Sequence, residues 1–202
     1  FLHMRLAELR LRAGELETAL AECEKALQSD PENQKIMLLR AGILDSLERS
    51  DEAIPLYRKL IEKNPGLSAP YLLLSTSYLR RKEAAKAIEV LEELNKRYPN
   101  DPTVVNFLGK AYESAGDYKR AESYYHEALS RKGGEEAPPV DLVRIYLKTK
   151  RGAKAKELLN KILQKDPKNV FARKVLGELS ISENNLDEAL EHLQVLEGEE
   201  RD

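Results

Sequence analysis

Apolar residues recur along this chain in step. Ala19, Ala53, Ala87, Ala121, Ala155 and Ala189 form an unbroken series spaced 34 residues apart. A second small position keeps the same beat as Ala7, Ala41, Ser75, Gly109, Val143 and Gly177. Leu6, Leu74, Leu108, Leu142 and Leu176 stand immediately before it, and Tyr78, Tyr112 and Tyr146 stand three residues after it. That spacing puts the large residues on one face of a helix, with a small residue where a second helix must come close. Two helices per 34 residues, repeated, is the signature of stacked helical hairpins.

The polar punctuation agrees. Pro31, Pro65, Pro99 and Pro167 fall at intervals of 34, 34 and 68 residues. Asp30-Pro31, Asn64-Pro65, Asn100-Asp101-Pro102 and Asp166-Pro167 end one hairpin and open the next, because proline disfavours helix in the residue before it. Inside the hairpins, Gly14-Glu15 and Gly116-Asp117 supply a residue that tolerates a left-handed backbone, then a carboxylate near the next helix start. The expected units are roughly 1–33, 34–67, 68–101, 102–135, 136–169 and 170–202, forming a single all-α domain over 1–202.

With these residues in place the chain resembles the tetratricopeptide repeat family over essentially its whole length. In the family's frame the recurrent alanine is position 20. Position 24 reads Cys23, Tyr57, Leu91, Tyr125, Leu159 and Leu193, and position 27 reads Ala26, Leu60, Leu94, Ala128, Ile162 and Leu196. The resemblance implies a right-handed α-solenoid superhelix whose first helices line a concave groove for a partner peptide or helix. It also implies that repeat positions 2, 5, 9, 12 and 13 point into that groove. In the first two repeats these are Met4, Glu8, Leu11 and Arg12, then Lys35, Leu38, Gly42, Asp45 and Ser46. Further along, the candidate groove residues are Leu72, Leu79, Arg80, Asn106, Lys110, Arg144, Lys148 and Lys174, with Ala137 at position 2 of the fifth repeat.

Charge refines this expectation. The chain carries a formal net charge of -2, which argues against whole-molecule attraction to nucleic acid or anionic lipid. The groove positions of repeats three to six hold Arg80, Lys110, Arg144, Lys148 and Lys174 against only Glu113 and Glu178. Leu38, Leu72 and Leu79 form an apolar strip beside them. The partner expected is therefore a protein or peptide with a hydrophobic anchor and an acidic stretch. A chaperone-tail clamp is not expected: it needs Lys at position 5 followed by Asn at position 9, and the one position-5 lysine, Lys174, is followed by Glu178.

Little in the chain suggests catalysis. His3, His126 and His192 sit in repeats one, four and six, without a zinc-protease motif, paired cysteines, a nucleophile elbow or a phosphate-cradling loop. Gly133-Gly134 reads as a turn. Adjacent acidic pairs such as Glu92-Glu93 point different ways on a helix and read as solvated faces. The single cysteine, Cys23, occupies a packing position and reads as a small buried hydrophobe. A non-enzymatic scaffold without cofactor or metal is the expectation, and no apolar run reaches membrane-spanning length.

Two features qualify it. Pro138-Pro139, after Gly133-Gly134, should delay and shorten the first helix of repeat five and bend the array there, whereas Pro55 should do little. At the ends, Phe1 is not an ordinary translation start, His3-Met4 fits a cloning junction, and the chain reads as a piece of a larger protein. Its last apolar stripe, Leu186, Leu190, Leu193 and Leu196, has no solvating cap helix after it. Self-assembly through uncapped ends is therefore the alternative reading. The lysine- and glutamate-rich repeats resemble bacterial proteins of envelope assembly, secretion or polysaccharide export, with cytoplasmic and periplasmic settings both open.

Overall fold

The computed structural model describes residues 2–99, 101–131 and 139–199. Among them are twelve α-helices: α1 (Leu2–Arg12), α2 (Leu16–Ser29), α3 (Gln34–Ser46), α4 (Ser50–Lys63), α5 (Ser68–Arg80), α6 (Ala84–Arg97), α7 (Pro102–Ser114), α8 (Tyr118–Ser130), α9 (Val140–Lys148), α10 (Gly152–Lys165), α11 (Val170–Ser182) and α12 (Leu186–Glu199). They fall into two compact units, Phe1–Gly116 and Asp117–Asp202. In the first, hairpins α1–α2, α3–α4 and α5–α6 follow one another, and each next helix (α3, α5, α7) packs on the second helix of the hairpin before it. In the second, α8 packs on α9, and hairpins α9–α10 and α11–α12 meet through α10 and α11.

The small residues sit where close approach demands them. All six alanines of the 34-residue series are buried, as are Ala7, Ala41, Ser75, Gly109, Val143 and Gly177. Of the large partners, Tyr57, Leu91, Tyr125 and Leu159 are fully buried. In the first unit the core carries on from hairpin α5–α6 into α7: Tyr71, Leu94 and Val104 cluster, with Ile61, Leu72 and Val90 packed against them.

The turns inside the hairpins are more uniform than their sequences. Gly14, Glu48, Lys82, Gly116, Lys150 and Asn184 share one repeat position and all have φ between 57° and 80°. The cause is a shared C-cap. The following amide donates back to the carbonyl five residues earlier, as in Glu15 to Arg10 (2.9 Å), Arg49 to Leu44 (2.9 Å), Glu83 to Tyr78 (2.8 Å), Arg151 to Tyr146 (2.8 Å) and Asn185 to Ser180 (2.8 Å). This is the Schellman arrangement, which needs a left-handed residue at that point. Between hairpins, Asn33, Asp101 and Asn169 cap α3, α7 and α11, each accepting from backbone amides of the first turn.

α9 starts at Val140, immediately after Pro139, and has 9 residues against 13 in α3, α5, α7 and α11, so the late, short first helix of repeat five is present. The bend expected at Gly133, Gly134 and Pro138, and the groove position Ala137, lie outside the described residues. α4 runs unbroken through Pro55, which sits in its second turn.

Candidate functional site

In the first unit, α1 and α3 lie side by side with their free faces turned the same way. Met4, Glu8, Leu11, Lys35, Leu38, Leu39, Gly42 and Ser46 line one open cleft of about 430 Å³. Seven of these eight occupy the groove positions read from the repeat frame; Leu39 is the addition. The chemistry is a largely apolar floor with one carboxylate and one ammonium at its rim. At Gly42 the floor drops: a Cβ built there would meet no heavy atom within 4 Å. Neither φ nor packing requires glycine at that site, so its effect is to leave a notch between Leu38 and Ser46.

Ser46 also lines a second cleft, of about 550 Å³, with Asp45, Glu48, Ser50, Asp51, Arg80 and Arg81. The two therefore adjoin. Position 12 of repeat two was expected to face the groove, but Asp45 turns inward, 7% exposed. Its carboxylate accepts from Ser50 Oγ (2.7 Å), Tyr57 OH (3.1 Å) and Ser77 Oγ. Three hydroxyl donors replace the water it gives up, which makes burial of the charge tolerable. Burial, then the charge of Asp45, pushes the Tyr57 phenol well above its ordinary pKa, so it stays a donor at any working pH. Sequence reasoning missed this hub. The available signal was Ser77, a polar residue at a position where other repeats place Ile43, Ala111 and Ile145, all fully buried.

The remaining predicted residues divide between the units. Arg80, exposed, donates to the Asp45 carbonyl at 2.9 Å. Leu72 is half-buried and leans on the Tyr71–Leu94–Val104 cluster, so it serves the core as well as the surface. Leu79 and Asn106 are half-buried and Lys110 is exposed, its ammonium 5.4 Å from the Phe107 ring. In the second unit Arg144 pairs with Asp141 at 2.5 Å, while Lys148 and Lys174 are exposed. The expected cationic groove thus has at least three of its charges, Arg80, Lys110 and Arg144, already engaged within the chain.

The histidines and the cysteine have structural surroundings. His3 Nδ1 lies 2.6 Å from Glu22, His126 Nε2 is 3.1 Å from Tyr146 OH, and His192 is buried. His126 belongs to a series that the sequence analysis did not detect: one position on the second helix of a repeat meets the position-11 tyrosine of the next. Arg58 donates to Tyr78 OH at 2.7 Å, and Tyr112 OH donates to Glu92 at 2.8 Å. Burial pushes the Cys23 thiol up to about 11, leaving it un-ionised and inert. Among the described residues no group of His, Cys, Asp or Glu is placed to hold a metal ion, and no helix is long and apolar enough to cross a membrane.

A tetratricopeptide repeat family model matches residues 46–111, 113–170 and 153–202, and a second tetratricopeptide repeat model matches residues 4–68. The chain belongs to the tetratricopeptide repeat family. It is similar to tetratricopeptide repeat protein 21B of Xenopus laevis, 28% identical over 162 residues that make up 80% of this chain and 12% of that protein. The chain therefore spans about an eighth of the length of that relative. Among solved structures it is similar to PilW, described as a widely conserved type IV pilus biogenesis factor (TM-score 0.79, 20% identity, 98% of this chain and 91% of that one). It is also similar to the anaphase-promoting complex hetero-tetramer Cut9–Hcn1 (TM-score 0.71, 20% identity, 96% of this chain and 38% of that one). It is similar as well to the TPR repeat-containing protein YpiA of Bacillus subtilis, 21% identical over 168 residues that make up 83% of this chain and 40% of that protein, so the repeat composition does not single out a lineage. The fold is a tetratricopeptide α-solenoid, an architecture that generally serves as a protein-interaction scaffold.

Proposed function

We propose that this chain is a non-enzymatic scaffold that holds a partner's peptide or helix across the free faces of α1 and α3, in the cleft floored by Leu11, Leu38 and Gly42. The observation that carries the reading is the convergence of seven repeat-frame groove positions on one cleft, with an unneeded glycine at its base. An apolar anchor on the partner fills the Gly42 notch, and acidic residues beside it face Lys35 and Arg80. Selection from a displayed random-peptide library tests this. The expected winners share a large apolar residue flanked by Asp or Glu, bind with a dissociation constant in the micromolar range, and lose at least tenfold in affinity on Gly42→Phe, whose Cβ meets no heavy atom and whose ring occupies the notch. Winners that bind Gly42→Phe equally well would refute the site.

A second reading, self-assembly through the terminal hairpins, is favoured by a specific observation: Leu186 and Leu190 on α12 are more than half exposed.

A further inference from the structure

The second helices of neighbouring repeats leave a valley between them, floored by the position-11 tyrosine. In the first unit the valley between α4 and α6 is an open cleft of about 180 Å³, lined by Tyr78, by Ile61 and Glu62 from α4 and by Glu89, Val90 and Glu93 from α6. The second unit repeats the arrangement between α8 and α10. Tyr146 has His126, on α8, 3.1 Å from its hydroxyl and the ammonium of Lys154, on α10, 5.5 Å from its ring centre. Tyr78 has Arg58 and Lys86 in the same two places, at 2.7 and 5.6 Å. Leu129 and Leu158, both half-buried, hold the repeat positions of Ile61 and Val90. What changes is the charge. The positions of Glu62, Glu89 and Glu93 become Ser130, Glu157 and Lys161, so the fold does not dictate the sign along such a valley.

The basic character is concentrated there. Residues 144–174 carry eleven lysines and arginines against Glu157 and Asp166 alone, a formal charge of +9 in a chain of net -2. On α10, Lys154, Lys161 and Lys165 are exposed and stand at i, i+7 and i+11. At 3.6 residues per turn they fall within about 40° of arc, in one row about 16 Å long. Glu157, bonded to Lys161 at 2.6 Å, is the single carboxylate of that helix.

We infer that the valley between α8 and α10 is a second interaction surface, which takes an amphipathic helix of a protein partner. Its carboxylates meet the lysine row while its leucines pack on Leu129 and Leu158. Running antiparallel to α10, such a helix matches the row with Asp or Glu at i, i+4 and i+11. Two observations favour a protein helix over other polyanions. Leu129 and Leu158 gain from apolar contact, which a sugar-phosphate backbone does not offer. α10 exposes no large apolar side chain for insertion into lipid. The valley shares no residue with the α1–α3 cleft, so this surface stands or falls independently of the function proposed above.

Fluorescence anisotropy with the 202-residue chain and a labelled synthetic helix, carrying Glu at i, i+4 and i+11 and leucines on the adjoining stripe, tests the inference. Binding is expected in the micromolar range, to weaken in high salt, and to fall at least tenfold on Lys154→Glu with Lys165→Glu. Replacing the same two lysines by Gln, which removes charge without reversing it, should weaken binding by a smaller factor. Lys25→Glu with Lys96→Glu makes an equal change of net charge at exposed positions of the other unit and should leave binding unchanged, as should Gly42→Phe. Unchanged thermal melts confirm that the variants fold. No binding, equal binding by a scrambled peptide of the same composition, or equal binding by the α10 double variant overturns the inference. Loss on Gly42→Phe would place the peptide in the α1–α3 cleft, overturning this surface and leaving that one standing. A DNA duplex or phosphatidylserine vesicles bound more tightly than the peptide, and released by the same α10 variant, would overturn the helical partner.

Discussion

Gly42 and Gly177 both lie within first helices, and replacing each with alanine should change stability in opposite directions. In a helix interior alanine is favoured over glycine by about 1 kcal/mol, because glycine loses more backbone freedom on folding. At Gly42 nothing opposes that gain, since the new Cβ meets no heavy atom within 4 Å. At Gly177 the new Cβ would lie 2.8 Å from Leu193 Cδ2 and 2.9 Å from its Cγ, well inside the 3.5–4.0 Å of ordinary carbon contact. Leu193 is half-buried, so it or α12 must shift, at an overpacking cost of about 1–3 kcal/mol. The expected result is stabilisation by about 0.5–1 kcal/mol for Gly42→Ala and destabilisation by about 1 kcal/mol for Gly177→Ala. Urea unfolding followed by circular dichroism resolves this as midpoint shifts of roughly 0.3–1 M in opposite directions. If both variants stabilise equally, α11 and α12 do not approach closely at Gly177, and the reasoning about small positions at helix crossings fails.

Other predictions follow from single sites. Asp45→Ala strands the Ser50, Tyr57 and Ser77 hydroxyls in a buried site and should cost about 3 kcal/mol in urea unfolding; a loss under 1 kcal/mol would mean the carboxylate is not the hub. Lys82→Gly relieves a left-handed backbone at φ 60° and should raise the melting midpoint by the equivalent of about 0.5–1 kcal/mol, whereas a loss would show the lysine side chain holding the turn. The Arg151 guanidinium, 2.7 Å from Glu122, holds that carboxyl below the usual carboxylate range. A depressed carboxylate contributes stability above its unfolded pKa of about 4.3 and loses it as pH falls through the folded value. Glu122→Gln should therefore show a shallower loss of melting temperature below about pH 4.5 than the wild type, and parallel curves would contradict the pairing. Cys23 should react with an aromatic disulfide reagent at pH 8 only as fast as the first hairpin opens; rapid native labelling would place the thiol at the surface.

The chain's periodicity made its architecture legible because the packing constraint is strict. A position that tolerates only Ala, Gly or Ser at a helix crossing records itself in the sequence every 34 residues, and those alanines are buried throughout. The turns were legible only at Gly14 and Gly116. At Glu48, Lys82, Lys150 and Asn184 the same left-handed geometry is imposed by Schellman hydrogen bonds on residues that do not advertise it. The groove positions of repeats one and two came together as the frame implies, since first-helix geometry alone sets which side chains share a free face. Asp45 did not, because its direction is decided by three hydroxyls from α4 and α5 rather than by its own helix. The engagements of the groove cations were not legible in sequence: Arg80 bonds to the Asp45 backbone and Arg144 to Asp141, and such pairing depends on neighbours brought close by folding.

The claim that α1 and α3 form the recognition surface is tested most directly by mapping backbone amide shifts in a two-dimensional NMR titration with a library-selected peptide. The account predicts saturable shifts concentrated on Met4, Glu8, Leu11, Leu38, Gly42 and Ser46, with α12 unaffected. Shifts centred instead on α11 and α12, with the α1–α3 amides unmoved, would contradict it.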